Sequence, residues 1–143
     1  MVINFATSKS DADNVVPEIT NSGEKAIAIK ADVSKTEDVK HLFDAAINHF
    51  DKVDILINNA GIAIYKLIKD TTNEDFDRIF SINVKGIFNT MREAATRLEA
   101  NGRIINFSGS VKVFAKEIGS RKITVNSVSP GPINTELFTR KNR

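Results

Sequence analysis

The chemistry this chain can offer sits in five short sets of small and polar residues. They are Thr7-Ser8-Lys9, Asp32-Val33, Asn58-Asn59-Ala60-Gly61, Ser108-Gly109-Ser110 and Ser129-Pro130-Gly131-Pro132-Ile133-Asn134-Thr135. Each follows an apolar run, and any one of them alone reads as turn chemistry. Five in order read as one rim that a ligand can contact. Outside the rim, Asn83 lies at helical spacing among Phe76, Ile79, Phe80 and Ile87. An amide buried there must find partners, and a core Asn bonded to neighbouring backbone would look the same in sequence. His41 and His49 are eight residues apart in a helical stretch with no cysteine or further histidine near them. They read as surface residues, so no metal site is expected. With no cysteine in the chain, disulfides and thiolate chemistry are excluded.

The elements that must hold these sets alternate between strand and helix. Val2 to Ala6 reads as a strand. Ser10, with Asp13 as capping-box partner, opens a helix carrying Ala12, Val15, Val16 and Ile19 on one stripe, with Pro17 inside it and Gly23 at its end. Lys25 to Ala31 is a second strand. Ser34 and Glu37 then form a capping box before the stripe Val39, Leu42, Phe43, Ala46, Ile47, Phe50. Val53 to Ile57 is a third strand, apolar enough to be covered on both faces. Thr71-Thr72-Asn73-Glu74 caps the longest helix, whose stripe runs from Phe76 to Leu98 through Val84, Phe88 and Met91, and Asn101-Gly102 stops it. Ile104 to Phe107, Val111 to Ile118 and Ile123 to Val128 read as strand, short helix and strand.

Strands alternating with helices predict a parallel sheet with helices on both faces, here as a single domain over residues 1–143. Ligands in such sheets bind beyond the carboxyl ends of the strands, where the five sets lie. The 143 residues include 41% hydrophobic and 27% charged residues, as in ordinary globular proteins. The net charge of +2 is scattered rather than striped, which argues against a nucleic-acid surface. No apolar run reaches the ~18 residues of a membrane span, and the first residues lack signal-peptide design, so a cytoplasmic location is expected.

Four segments in order resemble the short-chain dehydrogenase/reductase family. Asp54-Ile55-Leu56-Ile57-Asn58-Asn59-Ala60-Gly61 is similar to its NNAG strand end, and Ser81-Ile82-Asn83-Val84-Lys85-Gly86 to a segment of its fourth helix. Ile123 to Gly131 is similar to its PG motif, and Ala31-Asp32-Val33 to its adenine-contact turn. The resemblance covers nearly all of Val2 to Phe138 and is nearest to reductases of the ketoacyl-reductase and glucose-dehydrogenase type. It implies a Rossmann-type doubly wound sheet and hydride transfer between a nicotinamide cofactor and a small carbonyl or alcohol. Asp32 would accept from the adenine amino group, and the Val33 N–H would bind a ring nitrogen. Asn59 would hold neighbouring strands together, and Ala60 and Gly61 would let a nucleotide approach the backbone. Asn83 would hold a water that relays protons. Ser110, one residue past the ungapped position of the family's serine, would hydrogen-bond the substrate carbonyl. Pro130, Gly131, Ile133 and Thr135 would form the nicotinamide-side loop. After the first strand, Ser8 and Lys9 suit a 2′-phosphate better than the acidic residue of NAD enzymes, so NADP is expected rather than NAD.

The chain departs from the family twice. Its seven glycines are all isolated, so there is no TGxxxGxG phosphate loop, and its first strand corresponds to the family's second. After Ser110 the loop and helix carrying YxxxK are missing. Tyr65, the only tyrosine, and Lys69 have that spacing but lie on another segment. These gaps imply an incomplete sheet, in which the first and third strands either flank a gap or pair directly. They also imply weak cofactor binding and little or no activity. In the family the long helix, here residues 74–100, is half of a dimer-forming bundle, which implies homo- or hetero-oligomers through it.

Overall fold

The computed structural model describes residues 1–107 and 119–129. Its described elements are β1 (Val2–Phe5), α1 (Lys9–Asn21), β2 (Ile27–Lys30), α2 (Thr36–Phe50), β3 (Val53–Asn58), α3 (Asn73–Phe80), α4 (Gly86–Arg97), β4 (Leu98–Asn106) and β5 (Thr124–Ser127). A single π-turn, Ser81–Lys85, joins α3 to α4. All strand pairs are parallel, with β1 beside β2 and β3-β4-β5 as a second sheet. The first and third strands therefore belong to separate sheets and do not pair. The parallel α/β architecture expected from the alternation is observed, as an incomplete sheet in two parts.

Register brings the strand ends together. Phe5 stands opposite Lys30, and Asn58, Asn106 and Ser127 form one row across β3, β4 and β5. Beneath this row lies a core of Val33, Val39, Phe43, Ala94, Leu98, Ile104 and Ile123. Val39, Phe43 and Ala46 are the buried stripe of α2, at i, i+4 and i+7. Arg121 donates to the carbonyls of Ala95 and Leu98, placing a cation where α4 ends.

Several local expectations change. The first helix begins at Lys9 and runs through Pro17, and Lys9 pairs with Asp13 at 2.5 Å instead of Ser10 forming a box with it. Ser34 does not cap α2. Its hydroxyl goes to Asp32, and Lys35 occupies the cap position without a side-chain bond. The cap expected within Thr71-Thr72-Asn73-Glu74 is present, as a capping box formed by Thr72 and Asp75. The long helix stops at Arg97 and the chain turns extended at Leu98, so Asn101 (φ 66°) and Gly102 belong to an irregular start of β4. A β carbon on Gly102 would stand 2.7 Å from the Asp54 carbonyl, which accounts for the glycine.

The largest correction concerns apolar faces. Phe76, Phe80, Val84 and Phe88 were expected in the core but are about half exposed, at i, i+4, i+8 and i+12, and Phe76 stacks on Phe80 with ring centroids 4.2 Å apart. Helical spacing shows that residues share a face and leaves open whether the chain itself covers that face. Ile55 and Ile57 are likewise exposed, so β3 is not covered on both faces.

Candidate functional site

The site is a rim held together by one helix. At the end of β2 the Asp32 N–H donates to Asp38 Oδ2 at 2.9 Å. The Asp32 carboxylate accepts, on Oδ1, the Ser34 hydroxyl at 2.7 Å and the Ser34 N–H at 3.0 Å. These bonds, the hydroxyl foremost, hold its carboxyl below the usual carboxylate range, so Asp32 is ionised at neutral pH. Val33 turns its side chain into the core, and its carbonyl accepts from Asn89 Nδ2 at 2.9 Å.

At the end of β3 the amide that ties strands together is Asn58, not Asn59. Asn58 Nδ2 donates to Asn106 Oδ1 and Asn58 Oδ1 accepts from the Thr90 hydroxyl, both at 2.7 Å. Asn106 in turn donates to the Asn126 carbonyl at 3.3 Å, so three strands and α4 share one satisfied network. The strand's period of two explains the swap: Asn58 points inward, while Asn59, Ala60 and Gly61 are exposed. A β carbon on Gly61 would meet Asn83 Oδ1 at 3.5 Å, an ordinary contact. Internal packing therefore does not demand that glycine.

Asn83 sits in the π-turn, half-buried. Its Oδ1 accepts the Ile62 N–H at 2.9 Å and its Nδ2 donates to the Ile62 carbonyl at 2.8 Å. Both ends of the amide thus clamp the loop after β3. Single π-turns widen a helix by one residue and often lie at functional sites. Beyond this turn, buried Gly86, Asn89 and Thr90 face the ends of β2 and β3. None of these three stands out as a functional residue in the sequence. The signal was there in Asn83, Gly86 and Thr90 at i, i+3 and i+7, small or polar on a buried stripe.

The remaining expected residues lie apart from this cluster. Ser8 is the cap residue of α1, and the exposed Lys9 ammonium is engaged with Asp13. A phosphate there would have to compete with that carboxylate. Tyr65 lies in irregular chain before the 3-10 turn Ile68–Asp70, so it does not share a helix with Lys69. His41 and His49 are exposed, and no group of metal-binding side chains forms among the described residues. No helix among them is long and apolar enough to cross a membrane. Ser110, Pro130, Gly131, Ile133 and Thr135 lie outside the described residues.

Parallel strands packed with helices, with polar loops at the strand ends, define the doubly wound class of α/β protein. Residues 1–111 match the family model of the short chain dehydrogenases. The chain is 40% identical over 161 residues to a short chain dehydrogenase, claC, of Passalora fulva (96% of this chain, 60% of that protein). It is 39% identical over 166 residues to versicolorin reductase stcU of Emericella nidulans (100% and 63%). Among solved structures, a short chain dehydrogenase from Burkholderia cenocepacia in complex with NADP superposes with a TM-score of 0.85 at 30% identity, covering 95% of this chain and 65% of that one. The chain belongs to the short-chain dehydrogenase/reductase family. It spans about 60% of the length of the curated relatives it matches. An alignment of 166 positions exceeds the 143 residues of the chain, so the relative carries residues inside the matched span that this chain lacks.

Proposed function

We propose that this rim belongs to an NADP-dependent oxidoreductase acting on a small carbonyl or alcohol, and that the 143-residue chain alone turns over little or not at all. The observation that carries the reading is the single helix that fixes the loops after β2 and β3, through Asn89 and Asn83 respectively, at one edge of the sheet. When bound, the cofactor supplies the hydride. The chain's own residues bind and orient. Ionised Asp32 and the Val33 N–H take the adenine end. The open backbone of Asn59, Ala60 and Gly61 allows close approach, and Ser8 and Lys9 at the start of α1 favour a 2′-phosphate over a bare hydroxyl. Asn83 keeps the loop after β3 in place. Ser110 meets the carbonyl oxygen, and Pro130, Gly131, Ile133 and Thr135 form the nicotinamide side. The low turnover of these 143 residues follows from the lack of a YxxxK pair after Ser110: a lost general acid alone costs ~10²–10⁴-fold. The chain acts as one nucleotide-binding unit in the cytoplasm. NADPH oxidation with a dicarbonyl or a quinone tests this. Turnover indistinguishable from buffer is expected, and rates of about 1 s⁻¹ or more would overturn the inactivity.

A second reading is favoured by the exposed stripe Phe76, Phe80, Val84, Phe88. Through it the chain pairs with a second copy or with a full-length family subunit. Co-purification with such a subunit is expected, and a clean monomer in its presence would count against pairing.

A further inference from the structure

We propose that Asn89 is a positioning residue of the nucleotide rim, latching the Asp32–Ser34 turn onto the helix that carries Asn83. This rests on the reading of Asp32 as the contact for the adenine end. Asn89 is 1% exposed, and a buried amide is costly where an aliphatic side chain would fill the same space freely. Its partners show what it does there. Nδ2 donates to the Val33 carbonyl at 2.9 Å, and Oδ1 faces the Thr36 hydroxyl at 3.5 Å. Thr36 is held in turn by Arg92 at 3.2 Å. Val33 is pinned from a second side as well, since a β carbon on Gly86 would stand 2.7 Å from its Cγ2 and 3.3 Å from its Cβ. Only a glycine lets the helix come this close.

The consequence runs through one peptide plane. The Val33 carbonyl and the Ser34 N–H belong to the same rigid unit and point opposite ways. With the carbonyl drawn inward by Asn89, the Ser34 N–H is turned outward, where it donates to Asp32 Oδ1 at 3.0 Å. Asn89 thus sets the direction of the Asp32 carboxylate without touching a ligand. The same stretch of helix clamps Ile62 through Asn83. The ends of β2 and β3 are therefore registered against one rod.

The test uses Asn89→Leu, which keeps the branched shape and the number of side-chain heavy atoms and removes the amide, with Asn89→Ser as the second variant should the first not fold. Binding of adenosine 2′,5′-bisphosphate and of reduced nicotinamide mononucleotide is followed by amide NMR titration, together with hydrogen exchange at Ser34. The expected result is about tenfold weaker binding of the adenosine ligand, the size of one lost buried hydrogen bond, with the mononucleotide unchanged and Ser34 exchanging about tenfold faster. Unchanged adenosine binding, or equal loss of both ligands, overturns the proposal. If the unaltered chain binds neither ligand, the nucleotide reading falls. Ser34 exchange then decides the latch alone: faster exchange in the variant supports it and unchanged exchange overturns it.

Discussion

Replacing Asn58 with alanine should destabilise the chain far more than replacing its neighbour Asn59. Asn58 is 7% exposed, Asn106 is 0% and Thr90 is 3%. The truncation removes two bonds of 2.7 Å. Thr90 keeps a partner in the Ile87 carbonyl at 2.9 Å, so its hydroxyl is not stranded. Asn106 keeps its donor bond to Asn126, but its Oδ1 loses Asn58. One orphaned buried acceptor costs ~1–3 kcal/mol. The lost Thr90 bond and the small void bring the total to about 2–4 kcal/mol, a large part of the ~5–15 kcal/mol of a typical domain. Urea unfolding followed by circular dichroism reads this directly. With a slope of ~2 kcal/mol per molar, the midpoint should fall by roughly 1–2 M. Asn59→Ala should stay within about 0.5 kcal/mol. Asn58→Ala combined with Asn106→Ala should lose less than the sum of the two, by about 1 kcal/mol or more, because the pair is one interaction. A midpoint unchanged in Asn58→Ala, or strict additivity, would refute the network.

Gly86→Ala sets two effects against each other. Alanine gains ~1 kcal/mol in a helix, but forcing a methyl against the stiff, branched Val33 costs ~1–3 kcal/mol, so a net loss of about 1 kcal/mol is expected in the same urea assay. Acid should also unfold the chain in a defined way. Asp32, held down first by the Ser34 hydroxyl, and Asp75, held down first by Lys66, both titrate below their ordinary value. Their stabilisation is present above about pH 4 and is lost as pH falls through the lowered values. Asp32→Asn should flatten that part of the stability profile, and an unchanged profile would contradict the Ser34 bonds.

The alternation of strand and helix was legible because buried parallel strands and amphipathic helices leave different periods in the sequence. The rim was legible too, since turn residues mark strand ends. What periodicity could not show was whether a stripe is covered. Phe76, Phe80 and Phe88 have the same spacing as a core stripe yet stand half exposed. Asn58 and Asn59 are both amides, and only the pleat decides which one points inward. Ser34 looked like a cap, but its hydroxyl found Asp32 two residues back at 2.7 Å, a competition between local hydrogen bonds that a motif does not reveal. The π-turn at Asn83 left no mark in the pattern. Asn89 was hidden by its type, a polar residue on a buried stripe whose partner, Val33, is 56 residues away.

Calorimetric titration of the purified chain with NADPH and then NADH tests the nucleotide rim most directly. Saturable binding of NADPH is expected, with a dissociation constant on the order of 0.1–1 mM, near −4 to −5.5 kcal/mol, and weaker binding of NADH. No saturable NADPH binding, or NADH bound as tightly, would contradict it.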